Sequence, residues 1–181
     1  MFARSLSLLC TGLFALLLAT GCAEAPTAPG LEAAPVFDGE TASKGGKVTA
    51  RATGSGHFND ARFPEEELRT FSFNAKQFAD GSANGQWQLN NRNFPIRLHG
   101  EVECVSVSGN EAWFAGTTTN SDDPAQEGTI RGFYVVDNGE GGKAAPDQIS
   151  FAFGLSSADI WCDLQPRVAL NDVEKGNVQV K

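Results

Sequence analysis

From Lys47 onward, apolar and polar residues alternate in short runs bounded by turn residues, the pattern of half-buried strands. "KVTARATGSGHF" is the first run. "RTFSFNAKQF" follows, with Phe71, Phe73 and Ala75 on one face and Ser72, Asn74 and Lys76 on the other. Asp80-Gly81 in "ADGS" signals a hairpin. "NGQWQLNN" returns with Trp87 and Leu89 on one face and Gln86, Gln88 and Asn90 on the other. "FPIRLHGEVECVSV" is long for one strand, and Gly100 marks a bend within it. "EAWFAGTTTN", "GTIRGFYVVD", "DQISFAFGL" and "GNVQVK" complete the series.

Gly109-Asn110 fits a two-residue turn joining the long strand to "EAWFAGTTTN". The parity then fails, because Val102 and Cys104 share one face while Val105 and Val107 share the other. A bulge near Cys104 reconciles them. Ile149, Phe151, Phe153 and Leu155 alternate cleanly and read as one face of one strand. "SSADIWCDL" has room for a turn or two of helix capped by Ser156 or Ser157.

The sum is an all-β domain, an antiparallel meander of about eight strands. A closed barrel is favoured over a two-sheet sandwich, because closure removes both exposed edges. In that barrel Val178 and Val180 pair with Val48 and Ala50. Phe71, Phe73, Trp87, Trp113, Phe151 and Phe153 face inward and favour a filled interior over a lipocalin-like pocket. In a meander, alternate connections share an end. The connections at 59–68, 91–94, 121–127 and 156–176 therefore form one elaborated end. It carries Asp60, Glu65, Glu66, Glu67, Asp122, Asp123, Glu127, Asp159 and Asp163.

The N-terminus changes where this domain is expected to work. "MFAR" is followed by an apolar run from Leu6 to Ala19. That run is shorter than the roughly 20 residues a membrane-spanning helix needs, and it matches an export signal. Its end, Leu18-Ala19-Thr20-Gly21-Cys22, resembles the lipobox of bacterial lipoproteins. The resemblance implies a signal peptide over 1–21, diacylglycerol on the Cys22 thiol (with palmitate-type acyl chains) and cleavage before it. Ala19 stands where Leu is more usual. Ala23 rather than Asp follows Cys22, which in an envelope with two membranes favours the outer one. Residues 22–46 then form the lipidated Cys and a disordered Ala/Pro/Gly-rich tether, and 47–181 the β domain. "GSGHF", "TFSFNAK", "HGEVECVSVSGNEAWFAG", "VVDNGEGGKAAPDQISFAF" and "GNVQV" further resemble a group of secreted or lipid-anchored all-β domains from environmental bacteria. No activity is attached to that group, so it carries no residue roles.

Removing the signal leaves 13 basic and 22 acidic residues, 13 − 22 = −9. Such a balance repels phosphate backbones and argues against nucleic acid as a partner. Of the four Cys, Cys10 leaves with the signal and Cys22 takes lipid. Cys104 and Cys162 remain in an oxidising compartment and are expected to form a disulfide.

Candidate chemistry is sparse. Asp137, Asn138, Glu140 and Asp147 in "VVDNGEGGKAAPDQ" surround glycines as calcium ligands do, but they fail the EF-hand spacing. A glycine-rich turn with solvated acids is favoured there. His57 and His99 lie on different strands and no zinc spacing or nucleophile motif accompanies them. The expectation is therefore a non-catalytic exported lipoprotein, held to the membrane by its anchor and needing no cofactor. Its β domain binds a small or apolar ligand, or an envelope protein, at the long-loop end. The alternatives are a structural envelope protein with a filled core and, less favoured, a small barrel isomerase or hydrolase using His57 or His99.

Overall fold

A computed structural model describes residues 46–62, 67–94, 96–141 and 144–181. The signal, the lipobox Cys22 and the tether up to residue 45 lie outside the described residues, as do Glu65 and Glu66.

The eight expected runs are present, two of them are broken in two, and one short strand within the connection 156–176 is additional. The strands are β1 (Val48–Asp60), β2 (Glu67–Phe78), β3 (Ala83–Asn91), β4 (Ile96–Glu101), β5 (Cys104–Ser108) and β6 (Glu111–Ser121). After a turn of 3-10 helix at Pro124–Gln126 come β7 (Ile130–Val136), β8 (Gln148–Ser150) and β9 (Phe153–Leu155). One helix, α1 (Ala158–Leu164), precedes β10 (Leu170–Asp172) and β11 (Lys175–Val180). All pairings are antiparallel. The order is β10-β8-β7-β6-β4-β3-β2-β1-β11, with β5 also on β6 and β9 also on β7. The sheet curls through 300° into a barrel-like wall.

Two breaks follow from one surplus residue each. Gly100 pairs with Thr118 and Cys104 with Ala115, so four steps on β4–β5 oppose three on β6. Phe153 pairs with Gly132 and Ile149 with Val135, so four steps on β8–β9 oppose three on β7. Each surplus residue reverses the in–out alternation of its strand. Val102 and Val105 both reach the interior, while Cys104 belongs to the outer cluster. That is the bulge expected near Cys104. Ile149 and Ala152 face inward, while Phe153 and Leu155 face outward. The expected inward Phe153 is thus corrected, and the bulge at Phe151–Ala152 is the reason.

The interior is filled largely by aromatic rings. Phe58, Phe71, Phe73, Phe114, Phe133 and Trp87 form an unbroken chain, with successive centroids 4.7–6.1 Å apart. Each such pair adds about 0.5–1.5 kcal/mol beyond its buried area. Trp87 carries a cost, since its indole N–H is buried without an acceptor. Trp113 does not join this core. On β6 it alternates with Ala112 and Phe114, which point inward, so it faces outward and stacks on Tyr134 at 4.9 Å.

Helix α1 covers that outer face. Cys162 bonds to Cys104 with Cα atoms 6.2 Å apart, as expected, and closes a separation of 58 residues. By the chain-entropy argument that cross-link contributes about 4 kcal/mol. Trp161 stacks on Phe153 and donates its indole N–H to Phe133 O at 3.0 Å. It can approach because Gly132 lies beneath it, where an added Cβ would stand 2.8 Å from the indole. The helix stops where Gln165 adopts a left-handed φ of 47°, ahead of Pro166.

The last strand joins the two edges. β10 pairs with β8, and β11 pairs with β1 through Val178↔Gly54 and Val180↔Ala52. The expected partner strand is therefore right and the register is four residues further along β1. Val173 N–H donates to Asp147 O and Glu174 N–H to His57 O, so the strand changes partner at that point. Beyond it, carboxylates replace the missing ladder. Val178 N–H donates to Asp147 Oδ2 at 2.7 Å, and Val180 N–H to Asp137 Oδ2 at 2.9 Å.

This seam has a measurable cost if broken. Asp147→Ala leaves the buried Val178 N–H and the Asn138 N–H without their acceptors. A loss of about 2–4 kcal/mol in denaturant unfolding is expected. A loss below about 0.5 kcal/mol, the range of ordinary surface changes, contradicts the seam.

Candidate functional site

The elaborated end of the barrel holds a cavity of about 270 Å³. Its apolar wall is Leu89, Leu98, Ile96 and Phe94, and its polar wall is Glu67, Arg69 and Asn91. The alternation of β2 explains this mixture. Glu67 and Arg69 share parity with Phe71, Phe73 and Ala75, so they occupy the inner face at the strand's mouth end. Asn91 on β3 and Asp60 on β1 extend their own inner rows in the same way.

These inward polar groups are bound to one another. Arg69 Nε donates to Asp60 Oδ2 at 2.9 Å, and Arg69 Nη2 to Glu67 Oε2 at 2.7 Å. Asn91 Nδ2 donates to the same Glu67 oxygen at 3.0 Å. Arg62 forms a two-pronged bond to Asp60 at 2.9 and 2.8 Å. Its guanidinium lies 3.4 Å over the Phe151 ring, a cation–π contact, with Arg69 at 4.8 Å. Phe151, expected inside the core, is thus the bulge residue that seats these arginines. Asn91 Oδ1 accepts from the backbone N–H groups of Asn93 and Phe94 and so shapes the turn. Phe94 is left at the rim, 57% exposed, beside the half-exposed Ile96.

Burial alone would raise the Asp60 carboxyl. The hydrogen bonds from Arg62, with the charges of Arg62 and Arg69, outweigh that and hold it below the ordinary carboxylate range. Three further acids of this end are also engaged. Asp122 is bonded by Arg97 at 3.0 and 3.1 Å, Asp123 caps the 3-10 turn, and Glu127 accepts from Ser121 N–H. On the far side of the mouth, Arg131 donates from Nη2 to Gln126 Oε1, while its Nε is buried without an acceptor.

The calcium candidates sit elsewhere, on the seam at the other end. Asp137 and Asp147 accept from β11 backbone, and Asp147 is buried, so these acids are not the solvated turn residues expected. Glu140 Oε1 accepts from Asn177 Nδ2 and Gln179 Nε2, both at 3.1 Å. Asn138 donates its backbone N–H to Asp147 and its side-chain amide to Pro146 O. Among the described residues no group of three or more His, Cys, Asp or Glu is placed to hold a metal ion. His57 and His99 lie on β1 and β4, whose outer faces carry Ser55 and Glu101, and neither lines the mouth cavity.

Sequence reasoning placed this end correctly but missed Glu67, Arg69 and Asn91 as a site. The signal was their parity with the aromatic inner row. Compared with known proteins, the chain matches no family model, no curated protein and no solved structure.

Asp60 makes the mouth acid-sensitive in a defined direction. A depressed carboxyl stabilises fully above its unfolded value of about 3.9, and that contribution is lost as pH falls through the lower folded value. Asp60→Asn leaves Arg69 and Arg62 without that carboxylate and is expected to cost about 3–5 kcal/mol at neutral pH. The difference from wild type should shrink on acidification below pH ~4. A difference that stays constant down to pH ~2 would contradict the assignment.

Proposed function

We propose that the chain is an exported lipoprotein, anchored through Cys22, whose β domain is a non-catalytic binding module with its site in the barrel mouth. The observation carrying this reading is the mouth cavity itself, with an apolar wall against buried, prearranged polar groups. Ligand sites combine those two elements. The rest of the interior is packed with rings, so the binding role is confined to that end. The chain enters the domain at the start of β1, and the mouth lies at the opposite end of that strand, where β1 finishes at Asp60. The anchor belongs to the outer membrane where the envelope has two, on the strength of Ala23.

The filled aromatic interior favours one second reading, a structural envelope protein that binds no small molecule. The mouth decides between the two.

The test has two arms. Cys22→Ser should release the protein from the membrane fraction and abolish labelled-palmitate incorporation; retention with label would exclude the lipobox. Ile96→Asp, at the cavity rim, should weaken binding of a fluorescent apolar probe at least about tenfold while near-ultraviolet circular dichroism is unchanged. Equal probe binding by the variant, or none by wild type, points to the structural reading.

A further inference from the structure

We infer that the mouth cavity selects amphipathic ligands whose polar group is uncharged, an alcohol, ester or amide on a short aliphatic or aromatic body, over carboxylates and ammonium ions. The inference rests on the binding role proposed above.

Among the described residues, four charges meet in the network that backs the polar wall. Asp60 and Glu67 supply two negative charges, Arg62 and Arg69 two positive ones, and 2 − 2 = 0. Asp60, Glu67 and Arg69 are all buried. Each of these pairings is direct, so these four described groups balance one another before any ligand arrives.

A ligand carboxylate has two ways to enter. It can displace Glu67 from Arg69, which strands a buried carboxylate, or it can sit beside the closed network as an extra desolvated charge. Both are costly in a low-dielectric site. An ammonium group faces the mirror problem, since its natural partners are already held by the arginines. A hydroxyl, ester or amide needs no counter-charge. It can share a carboxylate lone pair or accept from the amide of Asn91 without altering the balance. Selectivity arises from the cost imposed on the wrong ligand more than from attraction to the right one.

Size narrows the class further. The cavity is about 270 Å³, just under the lower bound of roughly 300 Å³ for sites that hold drug-sized ligands. Leu89, Leu98, Ile96 and Phe94 line one side of it and suit a ring or a short chain.

The test is isothermal titration of the purified full chain at pH 7 with 1-octanol, methyl octanoate, octanoate and octylammonium. The two neutral compounds should bind at least tenfold tighter than either ion. Methyl octanoate and octanoate share the octanoyl chain and differ by the charge and one ester methyl, which is worth about 0.8 kcal/mol and less than the tenfold difference expected. In Glu67→Gln the network loses one negative charge, and octanoate should gain at least tenfold relative to octanol. Octanoate or octylammonium binding as tightly as octanol to wild type overturns the inference but leaves the pocket as a ligand site. An unchanged octanoate-to-octanol ratio in a folded Glu67→Gln also overturns it; if that variant does not fold, the wild-type series decides. No binding by any of the four removes the pocket reading and the inference together.

Discussion

One surplus residue on each strand flanking the β6–β7 pair governs how this domain is assembled. A strand has only two faces, so a single extra residue exchanges them for everything beyond it. On the β5 side the exchange turns Cys104 outward. On the β9 side it turns Phe153 and Leu155 outward. Between them, Trp113 and Tyr134 already face out from β6 and β7. The outer wall therefore acquires an apolar patch that water cannot be left to cover, and α1 is the element that covers it. The disulfide then fastens the helix to the wall, with Trp161 over Gly132. The same geometry keeps the helix off the barrel mouth.

The interior obeys a second constraint, that of filling a narrow barrel. Six rings in continuous contact occupy most of it, and the inner rows of β1, β2 and β3 end in buried polar residues at the mouth. There the pattern that carries Phe71 and Phe73 continues into Arg69 and Glu67, and Arg69 pairs with both Glu67 and Asp60 instead of reaching solvent. The cavity exists because these side chains hold one another against the wall and the Asn91 turn sets Phe94 at the rim. At the opposite end the wall is completed differently. Beyond the change of partner at Val173–Glu174, β11 pairs with β1 on one side, and on the other the carboxylates of Asp147 and Asp137 accept the N–H groups of Val178 and Val180. The acidic residues of this chain thus do three separate jobs: they close the seam, complete the mouth and cap surface turns.

Much of this was legible in the sequence. The hairpins, the Gly109-Asn110 turn and the clustering of long connections at one end follow from local pattern and topology, and the Cys104–Cys162 pairing from the count left once Cys10 and Cys22 are assigned to the signal and the lipobox. The bulge near Cys104 was readable because its valines broke parity visibly. The bulge at Phe151 was not, because Ile149, Phe151, Phe153 and Leu155 alternate without fault and a helix 10 Å-scale layer outside the wall accepts apolar side chains as readily as the core does. The role of Asp137 and Asp147 was hidden for another reason. Glycine-rich composition announces a turn, but not a strand more than 30 residues away that requires acceptors. Glu67 and Arg69 were passed over because charge outweighed parity in the reading, although parity was the better guide.

The outer core that the two bulges create has a built-in reporter. Tyr134 is the only tyrosine in the chain. Burial under α1 and its following strap, then the hydrogen bond to Glu111 and that carboxylate's charge, push its phenol up to about 12, against an opposing effect of Arg167. An ultraviolet titration of the folded protein therefore reads one group. Ionisation near pH 12, falling to about 10 in denaturant, is the result this architecture requires. Ionisation near 10 in the folded protein would mean that the outer face lies open, and that the bulges, the helix and the disulfide do not build a second core.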